Sequence, residues 1–288
     1  MFRLRAPAKL NLYLRVVGRR PDGYHEIETV FERVNLADEL VFESDAHRLE
    51  LTCDDPALSC GPENLVIKAA TLLQQHTATR HGARIHLIKR VPVGAGLGGG
   101  SSDAATTLQG LNQLWELHVS QPTLIQLAGQ LGADVPFFLY NTVCAIGRDR
   151  GDICQPIACR EPLFHVLVTP GIALSTKEIY AGLQLDLTAQ KPSITIVQHA
   201  LSNGSLSELA CGLWNDLEPE AIRRCPIIAH IQAHLQRFNC RGVRLSGSGS
   251  AVFGLCQNAA NADTVAAAMR RVAEPGWRID VLHTDEST

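Results

Sequence analysis

The sequence predicts an α+β protein in two domains. Three observations carry that prediction: an early segment of period two, a glycine-rich loop that runs straight into an amphipathic helix, and a C-terminal order of strand, loop, strand and helix in place of a regular βαβ repeat. The 288 residues suffice for one large domain or two ordinary ones, and 45% hydrophobic content supports a substantial core.

Leu10, Leu12 and Leu14 alternate with Lys9, Asn11 and Tyr13, so a strand sends the leucines to the core and sets Lys9 and Asn11 on its other face. Arg20-Pro21-Asp22-Gly23 has turn chemistry, with proline presetting φ and glycine accepting a positive one. Ala83, Ile85 and Leu87 alternate with Arg84 and His86 and predict a strand running toward Pro92. Beyond the glycine-rich loop, Ala104, Leu108, Leu111 and Trp115 have the spacing of one apolar helix face. A second helix opens near Pro122, carries Leu124, Leu127, Ala128 and Leu131, and stops at Gly132. A change of composition at Arg160-Glu161-Pro162 places the domain boundary near residue 160, giving domains 1–160 and 161–288. The second domain begins with an apolar strand from Phe164 to Val168. It continues with Val243 to Leu245, the loop Ser246-Gly247-Ser248-Gly249-Ser250, a strand from Ala251 to Leu255, and a helix bearing Ala262, Val265, Met269 and Val272.

Composition narrows the function classes. A formal net charge of −3, from 26 basic and 29 acidic residues, supplies no broad positive field for nucleic acid, so the expected partner is a small molecule. The nine cysteines show neither paired metal spacing nor a disulfide framework and read as reduced thiols of a cytoplasmic protein. Arg3, Arg5 and Lys9 precede an apolar stretch broken by Asn11 and Arg15, unlike a secretory signal, and no segment approaches the length of a membrane span. Neither the histidines nor the cysteines have the spacing of a protein-held metal site.

The strongest chemical signal is Pro92-Val93-Gly94-Ala95-Gly96-Leu97-Gly98-Gly99-Gly100-Ser101-Ser102 at the start of a helix. Glycines let backbone N–H groups approach an anion, the helix start adds unsatisfied donors, and the two serines add hydroxyls for phosphate or a magnesium shell. Gly94, Gly96 and Gly99 fit G-x-G-x-x-G, but a dinucleotide fold expects that loop after its first strand with an acidic residue about twenty positions on, and here Val119 stands there. The H-R-D and D-F-G segments of protein kinases and the lysine of a P-loop are missing. Asp134 suits a helix N-cap ahead of Pro136, a role compatible with chemistry. Ser246–Ser250 reads equally as a second phosphate-closing turn or as a tight hairpin.

In order along nearly the whole chain, Ala6-Pro7-Ala8-Lys9-Leu10-Asn11-Leu12, Arg20-Pro21-Asp22-Gly23-Tyr24-His25, the glycine loop, Leu131-Gly132-Ala133-Asp134-Val135-Pro136-Phe137, Asn215-Asp216-Leu217-Glu218 and Leu245-Ser246-Gly247-Ser248-Gly249 resemble the GHMP kinase superfamily. The Asp22–His25 segment is similar to the branch that phosphorylates a cytidine-diphosphate-linked methylerythritol on its 2-hydroxyl, and it separates the chain from homoserine, mevalonate and galactose kinases. The resemblance implies a ribosomal-protein-S5-like N-terminal domain with a left-handed βαβ element, a ferredoxin-like C-terminal domain, and an active site in the cleft between them. It also implies ATP as co-substrate on Pro92–Ser102, Mg2+ carried with the nucleotide, and a cytoplasmic monomer or homodimer in isoprenoid-precursor synthesis. By the same resemblance Asp134 acts on the acceptor hydroxyl with Lys9 beside it. Tyr24 and His25 stack on and hydrogen-bond cytosine, Asn11 lies nearer the alcohol, and Thr176 and Tyr180 complete the acceptor site. One stretch departs from the family pattern: Gly147-Arg148-Asp149-Arg150-Gly151-Asp152 is longer than the short glycine-x-glycine turn expected there, and its charges have no assigned role. Two other readings stay open on these residues. One is another GHMP-type kinase, which has no need of Tyr24 and His25; the other is a non-catalytic nucleotide-binding regulator, which has no need of Lys9 and Asp134.

Overall fold

The alternation at Leu10–Leu14 belongs to a strand that runs much further, β1 (Phe2–Arg19), and its neighbour β2 (His25–Asp45) is longer still. The computed structural model of the protein describes residues 1–184 and 190–285. β3 (Leu49–Cys53) is followed by α1 (Leu65–Thr77), and α1 crosses over to β4 (Gly82–Ile88), which lies parallel to β3. In β4 the expected alternation holds: Ala83, Ile85 and Leu87 are buried, while Arg84 and His86 are exposed. The glycine loop opens α2 (Gly99–Leu114), and α3 (Gln121–Leu131) follows with Ser120 as its N-cap and Pro122 in its first turn. A 3-10 turn, Pro136–Leu139, leads into the hairpin β5 (Cys144–Arg148) and β6 (Ile153–Ile157).

The rest of the chain runs β7 (Phe164–Thr169), α4 (Thr176–Gly182), α5 (Ile194–Asn203), α6 (Leu206–Gly212), β8 (Trp214–Asn215), α7 (Glu218–Arg224), α8 (Ile227–Arg237), β9 (Gly242–Leu245), β10 (Val252–Cys256), α9 (Ala259–Val272) and β11 (Arg278–His283). Among the described residues the strands form two sheets. The first has the order β3-β4-β2-β1-β8, with the β5–β6 hairpin attached to β2 from Thr29↔Gly147 to Glu32↔Cys144. The second is antiparallel, in the order β11-β7-β10-β9. With helices following β7 and β10, that order is the split βαβ arrangement of ferredoxin-like domains, as the resemblance implied.

The chain divides into two compact units. One comprises Met1–Ala8, Leu36–Val91 and Gly98–Asn141; the other comprises Lys9–Asn35, Pro92–Leu97 and Thr142–Thr288. In the first unit α2 turns its predicted face inward: Ala104, Leu108 and Leu111 are fully buried, and each leucine contributes about 1.5–3 kcal/mol. Gly110 lets this helix lie close on β2, since a Cβ there would stand 2.5 Å from Phe42 Cζ. Trp115 closes the helix and donates its indole N–H to the Gly82 carbonyl at 3.0 Å.

In the second unit Val166, Val168, Val243, Leu245 and Val252 of the antiparallel sheet share a core with residues of α7, α8 and α9, including Ile228, Ile231, Val265 and Met269. Glu32 is fully buried in β2 without exposing its charge. Its carboxylate lies 2.8 Å from His165 Nε2 and accepts the Thr284 hydroxyl at 2.8 Å, which ties the C-terminal residues to the strand.

Candidate active site

Lys9 and Asn11 do share one side of β1, but that side is not solvated: both are buried. The Lys9 ammonium donates to Asn11 Oδ1 and stands 5.5 Å from the centroid of the Phe31 ring. Asn11 in turn donates through Nδ2 to Thr29 Oγ1 at 2.8 Å, and the Thr29 hydroxyl donates to the Tyr13 carbonyl at 2.6 Å. With both ends of its amide engaged, Asn11 has one orientation, and it aims the lysine. Thr29, which sequence reasoning missed, sets that orientation from the neighbouring strand.

The first half of the glycine loop, Pro92–Leu97, belongs to the same unit. Ala95 and Leu97 are buried and anchor it, while Val93 and Gly94 are exposed. Four consecutive carbonyls are taken by protein donors: Gly94 by Leu174 N–H at 3.3 Å, Ala95 by Ala251 N–H at 3.1 Å, Gly96 by Ser246 Oγ at 3.1 Å, and Leu97 by Lys9 N–H at 2.9 Å. Carbonyl oxygens repel phosphate, so turning them into the protein suits the loop to an anion.

Two of those donors, Ser246 and Ala251, lie in the Ser246–Ser250 turn or directly after it. Ser246–Ser250 is a hairpin turn joining β9 to β10, and it also packs on the glycine loop and on Lys9 and Asn11. A Cβ on Gly247 would stand 3.2 Å from Asn11 Oδ1 and 3.3 Å from Lys9 Nζ. At Gly96, where φ is +80°, a Cβ would stand 2.1 Å from the Ser246 carbonyl oxygen. Gly96→Ala therefore combines a left-handed backbone with a clash against main chain, a loss of about 2–4 kcal/mol. Thermal unfolding should show Tm lowered by about 5–10 °C. Gly18→Ala, where a Cβ has open space around it, should leave Tm unchanged; equal Tm values for the two variants would refute the packing argument.

The Asn215–Glu218 motif supports this turn from beneath. Asn215 donates to the carbonyls of Leu245 and Gly247, each at 2.8 Å, and accepts from Leu217 N–H at 2.9 Å. Glu218 accepts from Leu245 N–H at 2.8 Å. Asp216 receives Val16 N–H and Lys191 Nζ, both at 2.8 Å, and the Trp214 indole at 2.7 Å. These residues position the second glycine turn against β1.

At the far end of β1 the Arg20–Gly23 turn presents Tyr24, 59% exposed, and His25. Tyr24 N–H donates to Asp22 Oδ1 at 3.1 Å, and Arg20 N–H donates to the Tyr24 carbonyl at 2.8 Å. The His25 ring stacks on Tyr180 of α4 with centroids 5.0 Å apart and planes 29° apart. Burial, with the charge of Arg19 added, pushes His25 below the ordinary imidazole range, so at neutral pH one ring nitrogen donates and the other accepts. Thr176, in the first turn of α4, shares a 2.8 Å hydrogen bond with Ser248. The structure thus groups Lys9, Asn11 and Gly247, pairs His25 with Tyr180, and links Thr176 to the second glycine turn.

The other predicted site residues belong to the first unit. Gly98 is the N-cap of α2 with φ of +69°, and Gly99, Gly100, Ser101 and Ser102 form the first turn. Beneath them Lys89 Nζ bridges Asp38 and Asp103, the latter at 3.0 Å, with all three side chains buried. Burial pushes Asp103 up to about 7 against the pull of Lys89, with the Asp38 charge adding to the rise. Asp134 is a half-buried turn residue between Gly132 and the 3-10 turn. The N-cap of that turn is Val135, with no side-chain cap bond, so the capping role open to Asp134 in the sequence is not the one it takes.

Residues 64–142 match the model of the GHMP kinase N-terminal domain, and residues 197–274 that of the GHMP kinase C-terminal domain. A 4-diphosphocytidyl-2-C-methyl-D-erythritol kinase of Pelotomaculum thermopropionicum is 41% identical over 270 residues, spanning 93% of this chain and 94% of the relative. The kinase of the same name from Shouchella clausii is 35% identical across 98% of this chain and 95% of its own length. A crystal structure of 4-(cytidine 5'-diphospho)-2C-methyl-D-erythritol kinase superposes with a TM-score of 0.82 at 37% identity, covering 99% of this chain and 100% of the other. Homoserine kinase of Cytophaga hutchinsonii, at 19% identity and a TM-score of 0.77, shares the fold. Matches to both domain models, together with full-length relatives at this level of identity, mean that the chain belongs to the GHMP kinases and, among them, to the 4-diphosphocytidyl-2-C-methyl-D-erythritol kinase family.

Proposed function

We propose that the protein transfers the γ-phosphoryl group of ATP to the 2-hydroxyl of 4-diphosphocytidyl-2-C-methyl-D-erythritol, giving the 2-phosphate and ADP in the non-mevalonate route to isopentenyl diphosphate. The observation that carries the acceptor assignment is the stacked His25–Tyr180 pair beside the exposed Tyr24 ring. Aromatic faces with a neutral imidazole offer stacking and edge hydrogen bonds, the ordinary means of holding an unpaired base.

In this reading the triphosphate lies along Pro92–Leu97 and the first turn of α2, Gly98–Ser102. Asp134 accepts the proton of the acceptor hydroxyl, and Lys9 offsets the charge that develops on the transferring group. Asn11 and Thr176 orient the alcohol end of the acceptor. Mg2+ carried with the nucleotide would supply positive charge against the phosphates. Ser102 Oγ, buried in the first turn of α2 without a hydrogen-bond partner among the described residues, fits as an oxygen donor to that ion. The nine free thiols suit a reducing cytoplasm. Among the described residues no helix is long and apolar enough to cross a membrane.

A coupled ADP-release assay with a panel of alcohols tests this reading. Turnover is expected with the cytidine-diphosphate-linked methylerythritol and not with homoserine, mevalonate or galactose. Comparable turnover on one of those alcohols would transfer the assignment to another branch, and ATP binding without ADP release on any acceptor would make the protein a regulator.

A further inference from the structure

The charged turn Asp149–Asp152, part of the stretch that is longer than the short glycine-x-glycine turn expected from the resemblance, folds onto the Arg20–Tyr24 turn. Asp149 has a left-handed backbone, with φ of +62°, and its carbonyl accepts Ile27 N–H at 2.7 Å. Its carboxylate meets the Arg20 guanidinium, the same group that engages Asp22. One residue on, Arg150 is gripped by Asp152, Nε to Oδ2 at 3.1 Å, and its guanidinium stands 5.5 Å from the centroid of the Tyr24 ring. A shorter turn would supply neither the acidic clamp on Arg20 nor a cation over the ring.

Tyr24 is the most exposed aromatic ring of this region, and an exposed ring exchanges freely among its rotamers unless something holds it. A guanidinium over one face attracts the ring's quadrupole and leaves the other face for a planar ligand. We propose that Arg150 is a positioning residue of the acceptor site, and that the charged turn holds the Tyr24 ring ready to stack on the nucleobase. The inference rests on the reading of Tyr24 as a base platform.

The test measures KM for the cytidine-linked acceptor and for ATP in wild type, Arg150→Ala, Arg150→Lys, Tyr24→Ala and the Tyr24→Ala/Arg150→Ala double variant. Arg150→Ala is expected to raise acceptor KM about fivefold, the scale of one cation over an exposed ring. Its turnover at saturating acceptor should fall less than that, and KM for ATP should stay within about twofold. Arg150→Lys should recover part of the loss, because an ammonium also sits over the ring. In the Tyr24→Ala background, removing Arg150 should change acceptor KM by less than about twofold, since the group it acts through is gone. Equal fold-changes in both backgrounds would overturn the inference, as would a joint rise in both KM values with a lowered Tm. If Tyr24→Ala alone leaves acceptor KM unchanged, the base-platform reading fails and this inference with it. If Tyr24→Ala raises acceptor KM and Arg150→Ala does not, the inference alone fails.

Discussion

Asp134→Asn is expected to lower turnover by about 10²–10⁴-fold while ATP affinity stays within a few-fold. The substitution keeps the size and hydrogen-bonding outline of the side chain, so the Gly132–Val135 turn, anchored by the buried residues from Val135 to Leu139, should persist. What it removes is a group that can accept the acceptor's hydroxyl proton. Phosphoryl transfer passes through a loose transition state in which the nucleophile forms little bond, so much of the loss should reflect poorer orientation of the hydroxyl as well as lost basicity. ATP is held elsewhere in this reading, by loop backbone, which accounts for the unchanged affinity. The check is kcat from the ADP-release assay, ATP affinity by calorimetry, and circular dichroism to confirm folding. A folded variant that turns over like wild type would remove Asp134 from the mechanism.

The second large effect concerns the base. Replacing the cytidine of the acceptor with uridine should reduce catalytic efficiency by about 10²–10⁴-fold, since two mismatched polar groups cost roughly 1–3 kcal/mol each. Cytosine presents a donor at its 4-amino group and acceptors at N3 and O2, and uracil reverses the pattern at positions 3 and 4. His25 suits this reading because burial holds its imidazole neutral, with one donor and one acceptor nitrogen. Its lowered titration point means that discrimination should persist into mildly acidic pH, where an ordinary histidine would already be charged. His25→Ala should erode the cytidine preference more than it slows turnover on cytidine. Equal efficiency of the wild type on both acceptors would show that cytosine is not being read.

The legible parts of the fold share one property, which is that each is marked within its own segment. β4 stands where alternation places it, α2, α3 and α9 where helical spacing does, and β7, β9 and β10 where short apolar runs do. β2 was missed because Glu32, Arg33 and Asp38 interrupt its apolar pattern, although all three are buried. Their burial depends on partners remote in sequence: Thr284 for Glu32, and Lys89 with the Arg90 and Val91 amides for Asp38. Nothing within a window of one strand announces such partners, and a charge in a run of valines reads as a break.

By itself the sequence determined which chemical groups are present and in what order: a glycine loop entering a helix, a lysine and an asparagine on one side of the first strand, an aspartate ahead of Pro136, and a tyrosine–histidine pair after a turn. Only the tertiary structure decided what these groups do to one another. It buried Lys9 and aimed it through Asn11 and Thr29, engaged four loop carbonyls with protein donors, set Asn215 beneath the second glycine turn, stacked His25 on Tyr180, and placed Arg150 over Tyr24. The physical reason is that a local pattern records which face of its own segment is apolar. Hydrogen-bond direction, ring stacking and the cost of a buried charge belong to pairs of residues, and the chain must fold before those pairs exist.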